Sequence, residues 1–189
     1  MSPADAGPGY AEAPHDGEHL LHFYHDAARF ESRLADFVAS GLAGGEVVIA
    51  IATTARLASL DDELRRRDVD VGAMLLQGRY QPLDAGVALE TFMRDGRPDA
   101  RSFLELLTGL LRRARREGRR VRAFGEMVAL LWARNERAAT LRLEHLWHAV
   151  CRRERLLLLC AYPHGCFHAE HEARAAIAAA HTREVAATA

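Results

Sequence analysis

Residues 46–60 read EVVIAIATTARLASL, and the order of residues in this stretch decides the fold. From Val47 to Ala52 no polar residue interrupts the run. A strand exposed on one face alternates apolar and polar positions, so an unbroken apolar run predicts a strand covered on both faces. Thr53 or Thr54 then offers a side-chain oxygen to cap a helix, and Leu57, Leu60 and Leu64 recur beyond it at helical spacing. A buried strand leading straight into an amphipathic helix is the repeating unit of a parallel sheet, because parallel neighbours can only be joined by a crossover.

Outward from this unit the pattern repeats. LLHFY at 20–24 predicts a first strand, followed from Asp26 by a helix carrying Phe30, Leu34, Phe37 and Val38 until Gly41, Gly44 and Gly45 stop it. RYQPL at 79–83 predicts another strand, placed at an edge because Pro82 has no N–H for a ladder. Asp84 caps the next helix, with Val87, Leu89 and Phe92. Asp99 caps a longer one, striped by Phe103, Leu106, Leu107, Leu110 and Leu111 and ended by Gly118. VRAF at 121–124 ends a strand, Gly125 makes the turn, and Glu126 opens a helix whose dipole favours an acid. The segment 136–151 predicts a helix with Leu143, Leu146, Trp147 and Val150 inward, and RLLLLCAY at 155–162 a last buried strand. About five strands alternating with helices predict an α/β fold, a three-layer αβα sandwich around a mostly parallel sheet. Trp132 and Trp147 are expected in its core.

Composition excludes several chemistries. All 25 basic residues are arginine, so there is no lysine for a Schiff base, a general base or a nucleotide-binding P-loop, and ATP hydrolysis is not expected. Cys151, Cys160 and Cys166 make an odd set in apolar or turn contexts, which fits a reducing cytoplasm better than a disulfide framework. Residues 1–17 read as a disordered lead without the charge and apolar core of a signal peptide, and no apolar run reaches the roughly 20 residues that span a membrane. A net charge of −1 gives no general attraction to nucleic acid, and the arginines of 112–122 read as a solvated helix end. Residues 169–189 form an alanine-rich helix and tail. Its small-residue stripe Ala173, Ala176, Ile177 and Ala180 is expected to meet a second copy or a partner protein.

In open α/β sheets ligands bind beyond the carboxyl ends of the strands. The residues falling there are polar, and His22, Tyr24, Thr53, Thr54, Asp84, Glu126 and Tyr162 are the candidate ligand-binding set. Glu126 or Asp84 could serve an enzyme as acid or base, but no nucleophile–base pair accompanies them. A second candidate is a metal or haem held by His19, His22 and His25 from the start of the chain and Cys160, His164, Cys166 and His168 from its end. It requires the first and last strands to be neighbours, and PHGCFHAEH at 163–171 matches no standard zinc spacing.

Several strings carry a family likeness: HFY at 22–24, GLAGGE at 41–46, IAT at 51–53, LDA at 83–85, FMRDGRPD at 92–99, FGEMVALLW at 124–132, LEHLW at 143–147 and LCAYP at 159–163. Over residues 18–168 the chain resembles the MEDS family, the DcmR-type sensory domains of bacterial repressors and histidine kinases. The resemblance implies a sensory domain that binds a small ligand and regulates a kinase or transcription regulator. It also implies a RecA/KaiC-like core, with a P-loop that here lacks its lysine. No output segment is visible in the sequence, so signalling through a partner or a homodimer is expected. Arg56 stands where members often carry a histidine, and Arg134-Asn135 where they carry a glycine.

Overall fold

The computed structural model describes residues 17–115, 118–167 and 170–185. The expected lead, except Gly17, lies outside the described residues, as do His168, Arg116 and the end of the tail at 186–189. In chain order the elements are β1 (His19–Tyr24), α1 (Ala27–Ala43), β2 (Val47–Ala52), α2 (Thr54–Arg66), α3 (Val71–Leu76), β3 (Tyr80–Asp84) and α4 (Ala85–Phe92). A small hairpin of β4 (Met93–Arg94) and β5 (Arg97–Pro98) leads to α5 (Ala100–Ala114), β6 (Val121–Gly125), α6 (Met127–Ala133), α7 (Arg137–Glu154) and β7 (Leu157–Pro163). A 3-10 turn at His164–Phe167, α8 (His171–Ala179) and β8 (Arg183–Glu184) complete the described chain.

The main sheet is six-stranded and parallel throughout, in the order β3-β2-β6-β7-β1-β8. β2 is buried at every position, as its unbroken apolar run requires. Its residues divide by the two-residue period of a strand. Val48, Ala50 and Ala52 face a core shared with α1, α2 and α3, while Val47, Ile49 and Ile51 face one shared with α4 to α8. The result is the three-layer α/β sandwich, with helices on both sides. Pro82 sits, as expected, in the edge strand β3. Thr53, Asp84 and Asp99 each accept the N–H of the third residue onward and cap α2, α4 and α5. Both tryptophans are buried. Asn135, between α6 and α7, takes a left-handed φ of 63°, a conformation glycine adopts freely and asparagine tolerates.

Gly41 in α1 has a different role from the helix stop expected of it. A Cβ there would stand 2.9 Å from Arg122 Nε. Arg122 is only 4% exposed; it donates to Glu46 at 2.7 Å and to the Phe37 carbonyl at 2.8 Å. Much of the arginine cluster is likewise engaged within the chain: Arg115 pairs with Glu154 and Arg120 with Glu46.

The alanine-rich end also differs from expectation. Ile177 and Ala180 are buried in this chain's own domain, whereas Ala176 is exposed. Beyond α8, the expected frayed tail is instead β8, paired with β1 through Leu20↔Arg183 and Leu21↔Glu184. No described helix is long and apolar enough to cross a membrane.

Candidate functional site

β2 leads into α2 on one face of the sheet and β6 into α6 on the other, so the chain departs to opposite sides between these neighbours. Loops from neighbouring strand ends part at such a boundary. Glu126 lies at it, directly after β6. It makes no side-chain cap bond to α6. Instead its carboxylate accepts the Thr53 N–H at 2.8 Å, the Thr53 hydroxyl at 3.1 Å and Arg56 Nε at 2.7 Å. Arg56 lies over the Phe30 ring, 5.1 Å from its centroid, and 3.7 Å from Glu31. Burial opposes the charge on Arg56, but Glu126, Tyr24 and Glu31 together outweigh it and raise the guanidinium's pKa.

The same loop is tied on its other side, where the Thr54 hydroxyl donates to Asp84 at 2.7 Å. The Val87 N–H and that hydroxyl hold the Asp84 carboxyl below its ordinary range. Tyr24 stacks on Phe30 at 4.3 Å, and burial pushes its phenol pKa up. At the ends of β1 and β7, His25 and His164 stack at 3.9 Å. Tyr24, Thr53, Thr54, Asp84 and Glu126 therefore lie along one rim. His22 and Tyr162 do not: His22 shares the face of Tyr24 but lies two residues deeper in β1, and Tyr162 points to the opposite face. His22 is buried beneath α1, paired with the Val185 carbonyl at 3.2 Å and stacked near Phe30. Tyr162 is buried on the other face, where its hydroxyl donates to Glu144.

The expected meeting of the first and last strands is partly realised. β1 and β7 are neighbours, and His19 Nε2 lies 3.3 Å from Cys160 Sγ. His22, His25, His164 and Cys166 are not in this group. Their places are taken by Glu144 of α7 and His181 of the turn before β8. Glu144 Oε2 is 3.3 Å from His19 Nε2 and 3.4 Å from His181 Nε2, and all three side chains are fully buried. His19 Nδ1 faces the Ala180 carbonyl at 3.2 Å, and His181 Nδ1 the Ile177 carbonyl at 2.7 Å. Burial pushes the pKa of His19 down to about 3 and of His181 to about 4, and raises those of Glu144 and Cys160. The signal for Glu144 was present in the sequence. With Thr140, Leu143, Trp147 and Cys151 it shares the buried stripe of α7, where a carboxylate demands a partner.

A six-stranded parallel sheet with helices on both faces and polar side chains gathered at its strand ends defines the chain as an α/β three-layer domain. The chain belongs to the MEDS family, described as the methanogen/methylotroph DcmR sensory domain, whose model matches residues 18–188. That match runs through α8 and β8. A search of curated proteins finds none that matches this chain. Membership in a sensory family supports a role in sensing or signalling.

Proposed function

We propose that the domain senses a small anionic ligand at the β2–β6 boundary and passes the change to a regulatory protein, a kinase or a transcription regulator. The observation that carries this reading is the Glu126 carboxylate resting on the Thr53 N–H and on Arg56. An N–H at a helix start beside a guanidinium is a donor set suited to anions. Glu126 acts there as an internal stand-in. A ligand carboxylate, sulfonate, phosphate or halide displaces it, frees the α6 end of β6 from the α2 end of β2, and alters the outer surface of both helices. We read the core as RecA/KaiC-like with a lysine-free loop, so the domain binds without hydrolysing ATP.

The test is a thermal-shift and calorimetric panel of small carboxylates, sulfonates, phosphates and halides on the wild type and on Glu126→Gln. At least one class is expected to bind, and to bind the variant more tightly, because the internal competitor has lost its charge. Failure of every class to bind either protein refutes the reading, as does tighter binding to the wild type.

A further inference from the structure

Beneath α7 and α8, on the sheet face opposite α1, two imidazole nitrogens and a carboxyl oxygen converge, with the Cys160 thiol 3.3 Å from His19 Nε2. A carbonyl oxygen can only accept, so the bonds to Ala180 and Ile177 place a hydrogen on Nδ1 of both His19 and His181. Each Nε2 is then an unprotonated lone pair, and both point at Glu144 Oε2. Oε2 and His181 Nε2 have no hydrogen-bond partner, and both are buried. Buried lone pairs facing one another are costly unless something positive lies between them.

The chemistry of the set fits a metal ion. Two imidazoles, one thiol and one carboxylate, with donor atoms all within 4.8 Å of one another, form the mixed nitrogen, sulfur and oxygen set that zinc takes. Zinc–nitrogen and zinc–oxygen arms of about 2.0–2.1 Å give a tetrahedral edge of about 3.3–3.4 Å. The two nitrogen–oxygen edges here are 3.3 and 3.4 Å. Outer partners are in place as well, since the two backbone carbonyls orient the histidines and the Tyr162 hydroxyl holds the other carboxylate oxygen. Charge also balances. On binding, the Cys160 thiol and the Glu144 carboxyl release their protons, and a dication with two anions and two neutral imidazoles leaves the buried site neutral.

We propose that His19, Glu144, Cys160 and His181 hold a zinc ion that fastens the α8–β8 segment to β1, β7 and α7. The strand β8 spans only Arg183–Glu184, so the paired backbone alone anchors it weakly. The ion joins the turn before it to three other elements. This site is independent of the strand-end rim and stands whether or not an anion binds there.

The experiment begins with metal-depleted full-length protein titrated with Co²⁺ and then with Zn²⁺. One equivalent of Co²⁺ is expected to give visible d–d bands and a near-ultraviolet thiolate charge-transfer band, both bleached by Zn²⁺. Cys160→Ser removes the charge-transfer band. His181→Ala, in the terminal turn where folding is least at risk, weakens binding more than tenfold, and Tyr162→Phe weakens it by about 10- to 100-fold. Zn²⁺ also protects the chain from proteolysis between Ala180 and Val185 and raises its melting temperature. Absence of a thiolate band in folded wild type overturns the proposal. So does a band that survives Cys160→Ser, or a melting temperature and cleavage rate indifferent to Zn²⁺; a shared carboxyl proton then accounts for the cluster, and Glu144→Gln keeps wild-type stability.

Discussion

Replacing Glu126 with alanine tests whether this carboxylate acts on its own helix or across the sheet. An acid acting only on the dipole of α6 contributes about 0.3–1 kcal/mol. The structure demands more, because the carboxylate accepts from the Thr53 N–H, the Thr53 hydroxyl and Arg56. Hydrogen bonds to charged groups contribute about 1.5–3 kcal/mol each when well shielded. Here the Arg56 and Glu126 side chains are 13% and 12% exposed, so water recovers part of each. Arg56 also keeps Glu31 and the Phe30 ring. The expected loss for Glu126→Ala is therefore about 2–3 kcal/mol, and for a 189-residue chain a fall in melting temperature of roughly 4–12 °C. Glu126→Gln can still accept from Thr53 and loses about 1 kcal/mol. The assay is urea unfolding of both variants, of Arg56→Ala and of the double alanine variant, with the slope m checked for constancy. A coupling of about 1–2 kcal/mol between positions 56 and 126 is expected. Additivity of the two alanine substitutions, or a loss below about 0.5 kcal/mol for Glu126→Ala, refutes the cross-sheet role.

Gly41 and Gly125, both in the family-like strings, behave oppositely under substitution. In Gly41→Ala the new Cβ meets Arg122 at 2.9 Å and Val48 at 3.1 Å; overpacking of about 3 kcal/mol outweighs the helix-propensity gain of about 1 kcal/mol, and the urea midpoint falls. Gly125→Ala meets Leu158 only at 3.6 Å, an ordinary contact, so its midpoint is expected to match or exceed the wild type. Asp84 and Asp99 titrate below their ordinary value of 3.8 in the folded chain because each accepts a backbone N–H. Their contribution is complete above that value and disappears as the pH falls through the folded pKa, so Asp84→Asn is expected to flatten the loss of stability between about pH 5 and about pH 2.

The layers of the fold were legible because burial on both faces leaves an unbroken apolar run, and β2 and β7 both carry one. Pro82 likewise announced an edge through its missing N–H. β8 was not legible, since a pair of charged residues carries no periodicity and its pairing with β1 is made across the length of the chain. Much the same holds at the candidate sites. Thr53, Asp84 and Glu126 were recognised by their order at strand ends, but the bond between Thr53 and Glu126 spans 73 positions, and local spacing pointed instead to a dipole contact. Its position after VRAF suggests a turn at Gly125, yet Gly125 has no positive φ and is a buried residue of β6. His19 and Cys160 were found by type. His181 carries no local signal, since it stands alone in the alanine-rich end beyond PHGCFHAEH, and Glu144 is masked by its place in the buried stripe of α7.

The two borders of the main sheet are each poor templates for further growth. On one side β3 offers Pro82, which has no hydrogen to give an incoming backbone. On the other, β8 ends the ladder with a pair of residues and exposes Arg183 and Glu184. Long flat borders recruit strands from other molecules and seed fibrils; brief, charged or proline-broken ones do not. Among the described residues, both margins of the sheet thereby resist the recruitment of a further strand.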